Sequence, residues 1–257
     1  MIKIENTKVA GWEAAIISAH NTLNSFERSD SHPCDILKEL TDKNYSYRCA
    51  GCKNEFVGRP NCTIVGENDF KLMNANRNAG PGHRHFMRRI VVCFDVLAPL
   101  YWWKEFDTHR AETIDNSCSI IHQIVDKGVK LKDFSYENLT TEEELNNLYM
   151  SIGILNIYQW AYKNYEQIKK GEMPICKEIR PFINTMDKKK IERQIIQLLP
   201  SSYNWKRTLM LNYAVLMNIY ISHKNHKLNE WRNFRNWIED LPYSELITGK
   251  GKNNDEN

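Results

Sequence analysis

The stretch "WWKEFDTHRAETIDNSCS", residues 102 to 119, gathers chemistry that a packed core does not need. Two indoles, Trp102 and Trp103, lead into the adjacent cations His109 and Arg110. A run of small hydrogen-bonding groups follows: Thr113, Asp115, Asn116, Ser117, Cys118 and Ser119. Aromatic faces, cationic donors and short hydroxyls together suit a flat ring with an anionic end, because guanidinium and hydroxyl groups donate to phosphate oxygens. Each group also has a plain structural use. The indoles and Tyr101 either flank a ligand ring or pack, Arg110 is either a ligand or a surface charge, and His109 is either a ligand or a satisfied histidine.

Those residues must be held by regular elements. "WEAAIISAHNTLNSF" (12–26) has helical spacing. "ENDFKLMNANRNAG" (67–80) is a short helix with Asn68 or Asp69 as N-cap and Gly80 as its stop. The β-branched "RRIVVCFDV" (88–96) predicts a strand, and "APLYWWKEF" (98–106) a helix with Pro99 in its first turn. The second half is mostly helical. Thr and Glu at capping-box spacing open a helix over 140–171, and another occupies 186–197. "WKRTLMLNYAVLMNIYISHK" (205–224) is apolar nearly all round, which predicts a buried helix. Its Asn212 and Asn218 would need partners there, from another helix or from a ligand. Residues 229–241 form an amphipathic helix with Trp231, Phe234 and Trp237 on one face. The polar end, 246–257, is a tail.

The chain as a whole bounds the function. Its 257 residues and 42% hydrophobic content suit one α+β domain, taken as 1–245, with a small sheet and long helices. A net charge of +3 is too mild for a nucleic-acid binder, so no specific nucleic-acid binding is expected. No run of about 18 apolar residues occurs, so no membrane span is expected. The N-terminal sequence does not read as a secretory signal, which implies a cytoplasmic protein with reduced thiols. Cys34, Cys49, Cys52 and Cys62 fall in a Gly- and Pro-broken insertion near 30–66. One CxxC (Cys49 and Cys52) with Cys62, and Cys34 or His32 as fourth ligand, is a weak zinc pattern; the alternative is a loop with free thiols.

Taken in order, Gly80–Ser119 and Leu199–Arg232 resemble the flavin-dependent thymidylate synthases. In that family an Ala-Pro helix leads into a signature Arg-His-Arg-x7-Ser-x-Arg. Here Ala98-Pro99 and His109-Arg110 keep that spacing, while Thr108, Cys118 and Ile120 replace the other signature residues. Glu105 stands where the family has Gln. "GPGHRHF" is similar to the family's Gly-His element, which assigns His83 to the flavin and leaves His85 to support the loop. "LPSSYNWKRTLMLNYAVLMNIY" matches the Leu-Pro loop and the Asn-containing segment after it, with Lys206 six residues before Asn212. "HKLNEWR" (226–232) matches the C-terminal motif loosely, after a one-residue shift.

The resemblance implies an α+β fold, a homotetramer, and methylation of dUMP or a related pyrimidine nucleotide at C5. FAD would be the cofactor, with NADPH and methylene-tetrahydrofolate as co-substrates. A catalytically inactive flavin- or nucleotide-binding paralogue, or an interaction protein with a small zinc site, are the alternatives. Because the flavin would carry the covalent work, the protein's part is to bind and orient. The resemblance assigns catalysis to His109, Arg110 and Glu105. It assigns flavin contacts to His83, His109, Arg110, Asn212 and Asn218. Nucleotide contacts fall to Ser117, Cys118, Ser119, Lys206, Arg207 and Arg232.

Overall fold

Alternation explains the strand that ends at the signature. In β4 (Val91–Pro99) the residues Val92, Phe94, Val96 and Ala98 are buried, and those between them are only half-buried. The computed structural model describes residues 1–33, 63–109, 113–173, 185 and 187–250. β4 belongs to a small antiparallel sheet ordered β1-β4-β6-β5, where β1 is Lys3–Ala10, β5 Ile114–Ser117 and β6 Asn204–Asn212. The fold is thus α+β, as expected. Two short strands, β2 (His32–Pro33) and β3 (Thr63–Ile64), pair antiparallel with His32 opposite Ile64. Cys34, Cys49, Cys52 and Cys62 lie outside the described residues. Among those described, no group of His, Cys, Asp or Glu could hold a metal ion. No described helix is long and apolar enough to cross a membrane.

Contacts gather the chain into two compact units. One comprises Met1, 97–106 and 116–207, the other 2–96, 107–115 and 208–257, so the boundaries fall inside β4, β5 and β6. The core of the first unit lies between α4 (Ile120–Lys127), α5 (Glu142–Lys163) and α7 (Lys188–Leu198), where Ile124, Leu155, Ile191 and Ile195 are fully buried. α5 begins at the expected capping box. Thr141 Oγ1 accepts from the Glu144 N–H at 3.2 Å, and Glu144 Oε2 accepts from the Thr141 N–H at 3.0 Å. A short helix, α6 (Tyr165–Lys169), continues it, and Gly171 (φ 74°) closes the pair.

The second unit packs α1 (Trp12–Asn21), α2 (Glu67–Asn78) and the 3-10 segment Pro81–Arg89 with α8 (Tyr213–Ser222) and α10 (Glu245–Thr248). Trp12 joins them through edge contacts with Tyr213 at 5.5 Å and tilted contacts with Tyr243 at 5.1 Å. Gly11 enters α1 at φ 92°, and a Cβ there would sit 1.9 Å from the Arg89 carbonyl oxygen, so only glycine fits. Leu246 and Ile247 in α10 are buried, and the polar tail therefore starts beyond them.

Several boundaries differ from the sequence reading. α1 stops at Asn21, where a turn with Asn24 at φ 48° leads into a short 3-10 segment. Residues 81–89 are 3-10 helix, so Arg88 and Arg89 precede the strand rather than begin it, and Ala98 and Pro99 finish β4, so α3 is only Leu100–Phe106. Neither Asn68 nor Asp69 is the N-cap of α2; Gly66 is, and the Asp30 side chain takes the free N–H groups. The largest correction concerns 205–224, which is β6 followed by α8. Arg207 occupies an inward position of β6, which disguised the period-2 pattern, and the apolar run then continued unbroken into the helix.

Candidate functional site

In the first unit, α3 buries Trp102, Trp103 and Phe106. Trp102 stacks on Phe106 at 5.0 Å and meets Trp103 edge-on at 4.9 Å. The two indoles therefore pack, which decides between the two roles left open for them. Trp103 also organises the residues around it. Its Nε1–H donates to the Trp205 carbonyl at 2.9 Å, and Trp205 Nε1–H donates to the Cys118 carbonyl at 2.9 Å. The Arg207 guanidinium lies over Trp103 at 4.4 Å and near Trp205 at 5.2 Å, with only 5% of the residue exposed. This aromatic bracket fixes the backbone at Cys118 and leaves Ser117, Cys118 and Ser119 exposed.

Strand geometry then separates two neighbouring cations. Successive side chains of a strand face opposite ways, so Arg207 turns inward and Lys206 is exposed. Glu105 is half-buried on α3. The Tyr203 phenol is pushed up to about 12, by burial first and then by Asp133 and Cys118, so it stays protonated. It donates to Gln123 Oε1 at 3.4 Å.

In the second unit, the turn Asp107–His109 carries a half-buried His109. Its ring lies 5.0 Å from His223 and 6.1 Å from Trp231. His223 stacks on Trp231 at 3.6 Å and is 5.3 Å from His226. Three imidazoles thus surround one fully buried indole. His223 Nδ1 is 3.0 Å from the Ile219 carbonyl, which can only accept, so that nitrogen carries the proton. Arg232 follows Trp231 on α9 (Asn229–Glu239) and is exposed, with Nη1 donating to Asn229 Oδ1 at 3.3 Å. His223 is the residue that sequence reasoning missed. Its signal was the spacing His223-x-x-His226, at the end of the apolar stretch that had been singled out.

Other residues fall elsewhere in the second unit. Asn212 is the N-cap of α8, its Oδ1 accepting from the Val215 N–H at 2.9 Å. Asn218 is exposed on α8 rather than a buried amide in search of a partner. His83 and His85 are exposed in the 3-10 segment, and a Cβ at Gly80 or Gly82 would meet nothing within 4 Å. The backbone there is sterically open. Arg110 lies outside the described residues. The first unit accordingly holds Glu105, Ser117, Cys118, Ser119, Lys206 and Arg207. The second holds His83, His109, Asn212, Asn218 and Arg232.

No family model and no curated protein sequence matches the chain. Solved structures do. Thymidylate synthase X (ThyX) from Helicobacter pylori, determined with FAD and dUMP, superposes with a TM-score of 0.53 at 14% identity, covering 96% of this chain and 97% of that one. A second structure of the flavin-dependent ThyX from Helicobacter pylori, complexed with FAD and dUMP, gives 0.54 at 14% identity, with 96% and 98% covered. A UMP/dUMP methylase, PolB from Streptomyces cacaoi bound with 5-Br UMP, superposes at 0.47 and 14% identity, over 97% of this chain and 94% of that one. From β4 through the signature to α9, and over nearly the whole chain around them, this protein has the fold of the flavin-dependent thymidylate synthases.

Proposed function

We propose that the protein binds FAD and a pyrimidine nucleotide and methylates the base at C5, with dUMP the first candidate and methylene-tetrahydrofolate as carbon donor. NADPH is the proposed reductant. The observation that carries this reading is the likeness to a structure holding FAD and dUMP over 96% of the chain. The signature residues, found independently in the sequence, support it.

The donor set suits such ligands. Exposed Ser117 and Ser119 are hydroxyl donors, exposed Lys206 and Arg232 are cations, and the segment at Cys118 is braced by the Trp205 bond. His109 is half-buried against His223, with its ring 5.0 Å from that imidazole. Bound flavin would supply the hydride chemistry. The chain's own residues would hold the two anionic groups, orient the rings and exclude water. Arg207 is better suited to bracing the site than to touching phosphate, since its guanidinium already covers two indoles.

Thr108 and Ile120, in place of the signature's arginines, favour a second reading: a paralogue that binds flavin and nucleotide without turnover. The visible spectrum of the purified protein, followed by flavin oxidation with dUMP and methylene-tetrahydrofolate, distinguishes the two. Bound flavin and nucleotide-dependent oxidation support the methylase. Flavin without oxidation supports the paralogue, and a colourless protein that takes up no added FAD overturns both.

We further propose that the protein assembles as a homotetramer, with α5 at a contact between copies. Its inward face carries Leu148, Ile152 and Leu155, yet Met150, Ile154 and Ile157 on another face are 67%, 44% and 46% exposed. An exposed apolar stripe at helical spacing is suited to a second copy of the same chain.

A further inference from the structure

Away from the residues above, the second unit aligns a serine, a histidine and an aspartate. His20, in the last turn of α1, is 2% exposed. Its Nε2 lies 2.5 Å from Asp69 Oδ1, and its Nδ1 lies 2.8 Å from Ser25 Oγ. The turn after α1 brings Ser25 back, with its N–H donating to the His20 carbonyl at 3.4 Å. Asp69 stands in the first turn of α2 and is 1% exposed.

The bonding pattern assigns the protons. An ionised carboxylate only accepts, so His20 Nε2 carries the hydrogen towards Asp69. In the neutral ring Nδ1 is then a lone pair, and the Ser25 hydroxyl is the group that donates to it. This is the order of a nucleophile, its base and an orienting carboxylate, with the two ring nitrogens exchanged relative to the usual serine hydrolase arrangement.

Asp69 is well held in its ionised form. Its Oδ2 accepts from Ser29 Oγ at 2.8 Å and from the Ser31 N–H at 3.0 Å. Burial pushes its carboxyl up, but the bonds from Ser31, His20 and Ser29 outweigh burial and hold it below the ordinary carboxylate value. Asp30 ties down the adjoining turn by accepting from the Asn68 and Asp69 N–H groups at 3.0 and 3.1 Å. It comes so close that a Cβ on Gly66 would lie 2.1 Å from its Oδ1.

These bonds tie α1 to α2 whatever else they do. What adds room for a substrate is a cleft of about 570 Å³, with His20, Ser25 and Ser29 in its wall and Arg28 and Lys71 beside them. That volume lies in the range of small-molecule sites. Arg28 has Glu27 at 3.9 Å and Lys71 has Glu67 at 2.6 Å, and Glu27 and Asp30 share the wall, so the rim carries no net charge to select an ionic substrate.

We propose that Ser25, His20 and Asp69 form a second site that hydrolyses small esters. Ser25 Oγ bonds to the acyl carbon as its proton passes to His20 Nδ1. The bond from that carbon to the alcohol oxygen breaks, and His20 returns the proton to the departing alcohol. Water then attacks the acyl-serine with the same base, releasing a carboxylic acid and restoring Ser25. Ester and water become acid and alcohol, with no cofactor. The site is independent of flavin and of the proposed methylation.

The test is to incubate the purified full-length protein with a fluorophosphonate probe and map the adduct by peptide mass spectrometry. Ser25 should be labelled at least about a hundredfold faster than the half-buried Ser151 on α5, the scale of one positioned base. Asp69→Asn should slow labelling, and Ser25→Ala should abolish both the adduct and hydrolysis of p-nitrophenyl acetate above that of the free buffer. Because the variants also loosen α1 against α2, the wild-type protein decides alone. If its Ser25 carries no adduct, or gains one no faster than Ser151, the proposal falls and the network only holds the fold.

Discussion

His83 offers a clean separation of binding from folding. It is exposed in a segment whose neighbouring glycines leave open space, so its loss removes little packing. His83→Ala should keep its melting temperature within about 1 °C, a surface-level effect. Under the proposed function it should also bind FAD about ten- to a hundredfold more weakly, the cost of losing one or two hydrogen bonds to a charged group. Flavin titration checks this, and unchanged affinity would leave His83 a loop residue. Arg110→Ala should weaken nucleotide binding by a similar or larger factor. Asp69 carries the pH dependence. Its pKa is depressed on folding, so its stabilisation is complete above its unfolded value of about 4 and is lost as pH falls through the lower folded value. The melting-temperature difference between wild type and Asp69→Asn should therefore be constant near neutral pH and shrink in acid.

The join of β6 and α8 is where element-scale reasoning matters most. Asn212 closes the strand and opens the helix, and its side chain holds the Val215 N–H. Asn212→Ala should cost about 1 kcal/mol, the usual worth of such a cap, and lower the melting temperature by about 2–4 °C for a chain of this size. Asn212→Asp, which also caps, should retain most of that stability. A flavin loss without any thermal shift would instead point to a ligand role alone. The sequence exposed the Asn but not this junction. An apolar run of helix length with an arginine inside it does not show a period of two, and a buried strand leading into a buried helix is apolar throughout. The cap was the available signal, since Asn is disfavoured inside helices and favoured at their starts.

At the scale of the molecule, the apolar stripe on α5 predicts self-association. Light scattering should give a mass several-fold above the 30.3 kDa of one chain. Replacing Met150, Ile154 and Ile157 with lysine should reduce it to a smaller species that keeps its helical spectrum, because these side chains contribute nothing to the inward face. A wild-type protein that is monomeric at micromolar concentration would remove the tetramer and any site shared between chains.

The sequence alone determined the α+β class, the strand leading into the signature, the capping box of α5 and the amphipathic α9. Each rests on local periodicity or on a side chain bonding within its own turn. It also determined which cations and hydroxyls share the signature's order, because those are matters of spacing. Only the tertiary structure decided that Trp102 and Trp103 pack, that Arg207 lies against them while Lys206 faces outward, and that His109 meets His223 and Trp231. It alone brought Ser25, His20 and Asp69 into line across 49 residues of chain. These pairings come from which surfaces bury one another, and burial between distant segments leaves no fixed interval along a chain.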